Sequence, residues 1–144
     1  MKLLLDTCTI SELRRPNCHP AIRQLVAETP DNSLFLSVIS IGEIAKGITL
    51  LPNSRRKAEL TNWLAGIHQA FADRILPIDG ETADIWGQLT AQAQTKGKVI
   101  PMADGLIAAT ARQHSLSVVT RNSRDFEETG VFLIDPWAID PWEN

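Results

Sequence analysis

The segment MKLLLDTCTISEL, residues 1–13, begins with an apolar run that stops at Asp6 and then continues in a helical pattern. Residues 2–5 are typical of a short strand, and residues 9–15 are typical of a helix that Pro16 ends. A strand followed at once by a helix is the beginning of a β–α crossover. The segment therefore predicts a parallel sheet whose first strand ends in a carboxylate.

The rest of the chain repeats this alternation. Four more short apolar runs have strand character, and longer amphipathic stretches separate them. The predicted strands are 2–5, 34–38, 75–78, 116–120 and 131–134, and the predicted helices are 9–15, 21–28, 40–51, 55–72, 81–96 and 103–114. This order predicts an α/β fold with a central, mostly parallel five-stranded sheet and helices on both faces.

Size and composition limit the function. A chain of 144 residues that is 44% hydrophobic is long enough for one globular domain. Its net charge of -3 disfavours a protein that holds nucleic acid mainly through a basic surface. Two cysteines, Cys8 and Cys18, form no CxxC pair, and residues 3–5 are far shorter than a membrane span of about 20 residues. We therefore expect an unprocessed, soluble protein of the reducing cytoplasm, with no membrane partner.

Acidic residues recur where the predicted strands end. These positions are Asp6 after the first strand, Glu43 in the first turn of the helix after the second, Asp104 at the start of the helix within IPMADGLIAATA, and Asp125 after the fourth strand. Each has a structural alternative, since an acid can cap a helix, face water, favour a helix N-terminus or shape a turn. Ligands of open α/β sheets, however, bind at the carboxyl ends of the strands.

Four acids at one sheet edge would not be stable without compensation. Two carboxylates ~4 Å apart repel by ~4 kcal/mol at an effective dielectric constant of ~20. Such a cluster takes up protons or binds a cation. Because every candidate ligand atom is oxygen, hard Mg²⁺ or Mn²⁺ is favoured over zinc, and the cation would also link an acidic protein to an anionic phosphodiester.

Four motifs resemble one known family. The segments LLDTCTISEL, SVISIGEIAKGI, PMADGLIAATA and VVTRNSRDFEETGV are similar, in order, to those of PIN domains of the VapC type, the ribonuclease toxins of toxin–antitoxin pairs. The resemblance extends from Leu3 to Trp137. It implies a single PIN domain over residues 1–144, with 138–144 as a C-terminal tail, that acts as a Mg²⁺- or Mn²⁺-dependent endoribonuclease. It also implies a cognate antitoxin that blocks the site, an RNA substrate and a homodimer.

The resemblance assigns catalytic and metal-binding roles to Asp6, Glu43, Asp104 and Asp125. It also places Thr7 and Thr120 where small hydroxyl residues commonly lie near the acids. Cys8 stands where related chains often have asparagine, and a thiol donates hydrogen bonds more weakly than an amide. The segment TRNSRDF offers both Asn122 and Asp125 as the fourth ligand. The full charge of Asp125 favours it, which leaves Asn122 to orient a water or hold the loop.

Basic residues near this edge are candidates for phosphate contacts. Arg121 and Arg124 flank the segment that leads to Asp125, and the alternative for both is a solvated surface position.

Other protein classes fit less well. A haloacid-dehalogenase-type phosphatase would need a second acid two residues after Asp6, where Cys8 stands, and a receiver domain would need a lysine after the last strand. The sequence has no GxSxG, P-loop or GxGxxG motif. A non-catalytic PIN-like module that binds RNA or protein remains the alternative. The repeated IDPW at 134–137 and 139–142 predicts a strand exit and a tail packed through its indoles.

Overall fold

The computed structural model describes residues 1–138, and within them five strands form one sheet. The strands are β1 (Leu3–Leu5), β2 (Leu34–Ser37), β3 (Ile75–Leu76), β4 (Ser117–Val119) and β5 (Leu133–Ile134). Their spatial order is β3-β2-β1-β4-β5, and each neighbouring pair is parallel. The predicted α/β class and five-stranded sheet are therefore confirmed, with every pairing parallel.

Seven helices connect and cover these strands within residues 1–138. They are α1 (Thr7–Leu13), α2 (Pro20–Glu28), α3 (Val38–Thr49), α4 (Arg55–Ala70), α5 (Gly80–Thr95), α6 (Met102–His114) and α7 (Ser123–Phe126). The first six were predicted, with ends displaced by up to two residues. The helix α3 begins earlier than its apolar pattern indicates because the Ser37 hydroxyl accepts the N–H of Ile39 as a cap. The seventh helix, α7, is a single turn that the apolar pattern did not predict.

The central strand β1 divides the core between the two faces of the sheet. Leu4 packs with buried residues of α5 and α6, whereas Leu3 and Leu5 point the other way and pack with buried residues of α1 and α3. All three leucines are at most 1% exposed. A strand buried on both faces reads as a continuous apolar run, which explains why LLL lacks the alternation of a surface strand.

The strand order creates a crevice at one place. The chain moves outward from β1 through β2 to β3, and then returns to the other side of β1 for β4. The N–H of Asp6 donates to the carbonyl of Val119 (3.0 Å), so the carboxyl ends of β1 and β4 lie side by side. Open α/β sheets bind their ligands at such a switch point. The first strand therefore presents its carboxylate in the crevice where a site is expected.

The chain leaves the sheet through the first IDPW segment. After β5, residues Pro136–Ala138 form a 3-10 turn that packs against α2, and Trp137 is half-buried. The second IDPW at 139–142 and the predicted tail, except Ala138, lie outside the described residues. In residues 1–138, none of the helices has the length and apolar character that crossing a membrane requires.

Two phenylalanines test this core. Phe126, at the end of α7, is fully buried, whereas Phe132 is 82% exposed. We expect Phe126→Ala to lower the free energy of unfolding by about 3–5 kcal/mol, because it opens a cavity next to the helical turn that carries Asp125. The measurement is urea denaturation followed by circular dichroism.

The control is Phe132→Ala, which we expect to change the free energy of unfolding by no more than about 0.5 kcal/mol. Equal losses in both variants would contradict the position of α7 in the core.

Candidate functional site

Asp6 is the buried acid of the crevice. It caps α1 and is only 4% exposed. Its Oδ1 accepts the N–H of Thr7 (2.8 Å), and its Oδ2 accepts the hydroxyl of Thr120 (2.7 Å). Both oxygens are thus held by donors that suit an ionised carboxylate. The structure therefore brings Thr120 to Asp6, although the two residues lie 114 positions apart in the sequence.

Thr120 links Asp6 to the loop after β4. Its hydroxyl oxygen accepts a hydrogen bond from the backbone N–H of Asn122 (3.0 Å), and its O–H donates a hydrogen bond to Asp6. The N–H of Asp125 in turn donates to the carbonyl of Asn122 (3.0 Å), which begins the helical turn α7. Asn122 therefore holds the loop through its backbone, and its side chain forms no capping hydrogen bond.

Glu43 reaches the same crevice from α3. The sequence placed it in the first turn of its helix, and this was wrong, since α3 begins at Val38 and Glu43 lies in the second turn. Its side chain is exposed, and its Oε1 accepts the hydroxyl of Thr7 (2.7 Å). The same hydroxyl lies 2.9 Å from that of Ser40. Thr7 thus connects Glu43 to the cap of α1.

Asp104 is half-buried in the first turn of α6. Desolvation and the negative charges of Asp6, Asp125 and Glu43, in that order, raise its pKa to about 6. Gly105 allows α6 to pack closely on α5, because an added Cβ there would lie 3.0 Å from the ring of Trp86. The charges of all four predicted acids therefore act at one place.

The negative charge of this cluster is not neutralised within the described chain. None of the four ion pairs formed by residues 1–138 includes Asp6, Glu43, Asp104 or Asp125. In the same residues, no three His, Cys, Asp or Glu side chains are placed so that they could hold a metal ion together. The donor chemistry, four carboxylates without a cationic partner, nevertheless fits a hard divalent cation. Without a cation between them, the negatively charged carboxylates repel one another, which disfavours shorter distances between their oxygens.

Cys8 lies within this network. Its Sγ is 3.6 Å from Oδ2 of Asp6 and 3.7 Å from the Thr120 hydroxyl, and it accepts the N–H of Arg121 (3.5 Å). Burial and the Asp6 charge raise the pKa of the thiol despite that N–H, so it stays protonated at neutral pH. The thiol therefore occupies the position beside Asp6 as a weak hydrogen-bond donor.

The two candidate phosphate-binding arginines are both exposed at the rim. The guanidinium of Arg121 lies 5.8 Å from the ring centroid of Trp137, which gives it a cation–π partner. Arg124 lines a small surface cavity together with Asp125 and Lys98. Neither arginine forms an ion pair among residues 1–138, so their charges remain accessible there.

Two hydroxyl residues were missed by sequence reasoning. Thr9 is fully buried and donates to the carbonyl of Val119 (2.8 Å), which fastens α1 to β4. Ser40 is also fully buried and lies against Thr7. The only signal in the sequence is a polar residue at a core-facing helical position, and small hydroxyl residues occur there without a function as well.

The comparisons agree with this architecture. The model of the PIN domain family matches residues 3–131. The chain belongs to the PIN-domain family, in its VapC-type branch. A "Toxin FitB" of Neisseria gonorrhoeae is 40% identical over 136 residues, which are 94% of this chain and 98% of that protein. A "VapC ribonuclease Y4jK" of Sinorhizobium fredii is 38% identical over 136 residues, 94% of this chain and 97% of the relative.

A solved structure extends the match to three dimensions. The chain is similar, with a TM-score of 0.88 and 38% identity, to a chain of the structure described as FitAB bound to an IR36 DNA fragment. The match covers 96% of this PIN-domain protein and 97% of that chain. The resemblance inferred from the four motifs is therefore confirmed, and it covers the chain almost end to end.

The raised pKa of Asp104 predicts how stability depends on pH. Because the folded state favours its protonated form, this stabilisation is fully present below the ordinary pKa of 3.8 and is lost as pH rises through about 6. We compare the free energy of unfolding of Asp104→Asn with that of the wild type, without divalent ions. This difference should shift in favour of the variant by about 1–2 kcal/mol from about pH 4 to about pH 7.5, after allowance for solvent screening. Urea denaturation at both pH values measures this gain.

A matched variant is Asp84→Asn, which removes an exposed acid from α5. Its difference from the wild type should stay constant across the same pH range. If Asp104→Asn behaves in the same way as Asp84→Asn, the acids do not interact as described.

Proposed function

We propose that the protein is the toxin of a toxin–antitoxin pair and cleaves RNA as a metal-dependent endoribonuclease. The observation that carries this is the convergence of four acids at the switch point of the sheet, where burial and the charges of the other three raise the pKa of Asp104. The names of two relatives, a VapC ribonuclease and a tRNA(fMet)-specific endonuclease VapC of Shigella flexneri, support it. The whole chain acts as one PIN domain.

The residues that hold the metal are Asp6, Glu43, Asp104 and Asp125, and the metal is Mg²⁺ or Mn²⁺. All four offer carboxylate oxygens, which these hard ions prefer. When bound, such an ion supplies a water of lowered pKa and stabilises the charge that develops on a phosphodiester. The four carboxylates would repel an anionic substrate. A divalent cation would offset this repulsion, which is the physical reason for a metal cofactor.

The remaining site residues act by orienting groups and binding substrate. Thr7 and Thr120 hold the carboxylates of Glu43 and Asp6 by hydrogen bonds of 2.7 Å each. Loss of such partners typically costs ~10- to 100-fold in metal affinity or activity. Arg121 and Arg124 bind phosphates beside the cleaved bond, since both guanidinium groups are exposed at the rim.

The partners follow from the same site. A cognate antitoxin covers the acidic cleft, and a basic side chain from it would neutralise carboxylates that have no cationic partner within residues 1–138. Solved relatives are toxin–antitoxin complexes, among them VapBC of Salmonella typhimurium bound to DNA. We further infer a homodimer in the cytoplasm, where free thiols such as Cys8 and Cys18 persist. A co-purified antitoxin that left nuclease activity and metal binding unchanged would contradict the proposal that it covers the cleft.

RNA cleavage is tested directly with purified protein. We expect it to cut single-stranded RNA with Mg²⁺ or Mn²⁺ and not with EDTA. Asp6→Asn and Asp104→Asn should each reduce the rate at least about 100-fold, because they weaken the binding of the cation that activates the water. Gel analysis of labelled RNA with time measures the rates.

The control is again the surface variant Asp84→Asn, which should cleave at the wild-type rate. Cleavage that survives both EDTA and Asp6→Asn would refute the proposal. Metal and RNA binding without cleavage by the wild type would favour the alternative, a non-catalytic PIN-like module.

The fourth acid is tested against its neighbour in the same loop. We expect Asp125→Ala to weaken Mn²⁺ binding more than Asn122→Ala does, because Asp125 contributes a charge that reaches Asp104. Asn122 contributes mainly a backbone N–H, which alanine keeps. Calorimetric titration of both variants, each checked for native circular dichroism, decides between them. A larger loss of affinity in Asn122→Ala would mean that Asp125 is not the ligand.

A further inference from the structure

A groove opens from the acidic cleft and runs between α1, α3 and α4. Its volume is about 290 Å³, and Thr7 and Glu43 of the acidic cleft are among its lining residues. The other residues that the argument uses are Arg14, Gly47, Arg56 and Trp63. We call it the Arg14–Trp63 groove. Because it shares two residues with the cleft, a chain that passes through the cleft can continue into it.

The groove combines an aromatic surface with two guanidinium groups. The Arg14 guanidinium lies 6.0 Å from the centroid of the Trp63 ring, which is the outer limit of a cation–π contact. Neither Arg14 nor Arg56 forms an ion pair or a side-chain hydrogen bond within the described residues. On a protein of net charge -3, two unpaired arginines beside an indole are a local exception to the overall charge.

Single-stranded RNA has the chemistry that this groove complements. Unpaired bases stack on indole rings and on guanidinium planes, and this stacking is tolerant of sequence. The phosphates between the bases are anionic and favour arginine. The floor contributed by Ile44 and Leu60 is apolar and suits the face of a base rather than a phosphate. The groove therefore offers separate surfaces for a base and for its phosphate.

We propose that the Arg14–Trp63 groove is a subsite for one nucleotide of single-stranded RNA next to the cleaved bond. The base stacks against Trp63 and Arg14, and the adjoining phosphate lies on Arg56. This assignment deepens the proposed ribonuclease function and rests on it. It also gives the acidic protein a way to hold substrate that does not depend on the metal.

Gly47 allows the groove to be filled without disturbing the core. An added Cβ at Gly47 has no atom within 4 Å, and the same is true of Gly66 on α4, which does not line the groove. Replacing either helical glycine by leucine favours the helix. Gly47→Leu is therefore the blocking variant, and Gly66→Leu is its matched control.

The experiment measures binding of a fluorescein-labelled 12-nucleotide single-stranded RNA pool of random sequence by fluorescence anisotropy with Mg²⁺. All proteins carry Asp104→Asn, so that cleavage does not interfere. We expect Gly47→Leu and Trp63→Leu to weaken binding about 5- to 100-fold, and Gly66→Leu to leave it unchanged. Binding weakens as salt rises, so the slope of log K against log salt is negative. Arg56→Gln should reduce the magnitude of this slope by about 0.7, whereas Trp63→Leu should not change it.

The outcomes separate this proposal from the catalytic one. If Gly47→Leu and Trp63→Leu bind RNA as tightly as their parent, the groove does not contribute to RNA binding and the proposal is wrong. A parent that binds no RNA at all overturns it too. If RNA binding depends on the groove while the protein without Asp104→Asn cleaves no RNA, the proposed nuclease function fails and the binding subsite stands.

Discussion

A carboxylate buried at the end of the central strand is the feature on which the site depends. Asp6 is 4% exposed, yet its two oxygens receive the Thr7 N–H and the Thr120 hydroxyl, so its charge is stabilised by hydrogen bonds rather than by an ion pair. Burying an unpartnered charge is costly, whereas hydrogen bonds to an ionised carboxylate are short and strong. The same bonds join β1, α1 and the loop after β4, so the carboxylate also joins the elements that form the crevice.

The other three acids approach Asp6 because the helices that carry them are fixed by packing. Glu43 is on α3, whose Ile44 and Ile48 belong to the core on the Leu3 and Leu5 face, and Asp104 is on α6, which packs on the opposite face. The cluster therefore forms where the two halves of the core meet at the sheet edge. Its repulsion opposes folding stability at neutral pH, a cost that proteins commonly carry at functional sites.

The four acids differ in how much of each side chain is exposed to solvent. Asp6 is buried and accepts two hydrogen bonds, Asp104 is half-buried, and Glu43 and Asp125 are exposed. The proposed cation site would thus combine a buried carboxylate held by two hydrogen bonds with carboxylates that are open to solvent. The exposed Arg121 and Arg124 flank Asp125, so positive charge lies beside the acids at this rim.

Much of the fold was determined by the sequence alone. Alternating apolar runs and amphipathic stretches, with prolines and caps between them, specify a parallel sheet with helices on both faces because these patterns are local. The sequence likewise predicts the candidate site, because Asp6 ends the first strand and the carboxyl ends of parallel strands share one edge. The start of α3 was misplaced because the Ser37 cap extends the helix beyond its apolar stripe. Only the tertiary structure decided the rest. Several features depend on contacts between elements far apart in the chain, where distance and burial rather than residue type set the energy. They are the Thr120 hydroxyl on Asp6, the buried Thr9 and Ser40, the raised pKa of Asp104 and the groove beside Trp63.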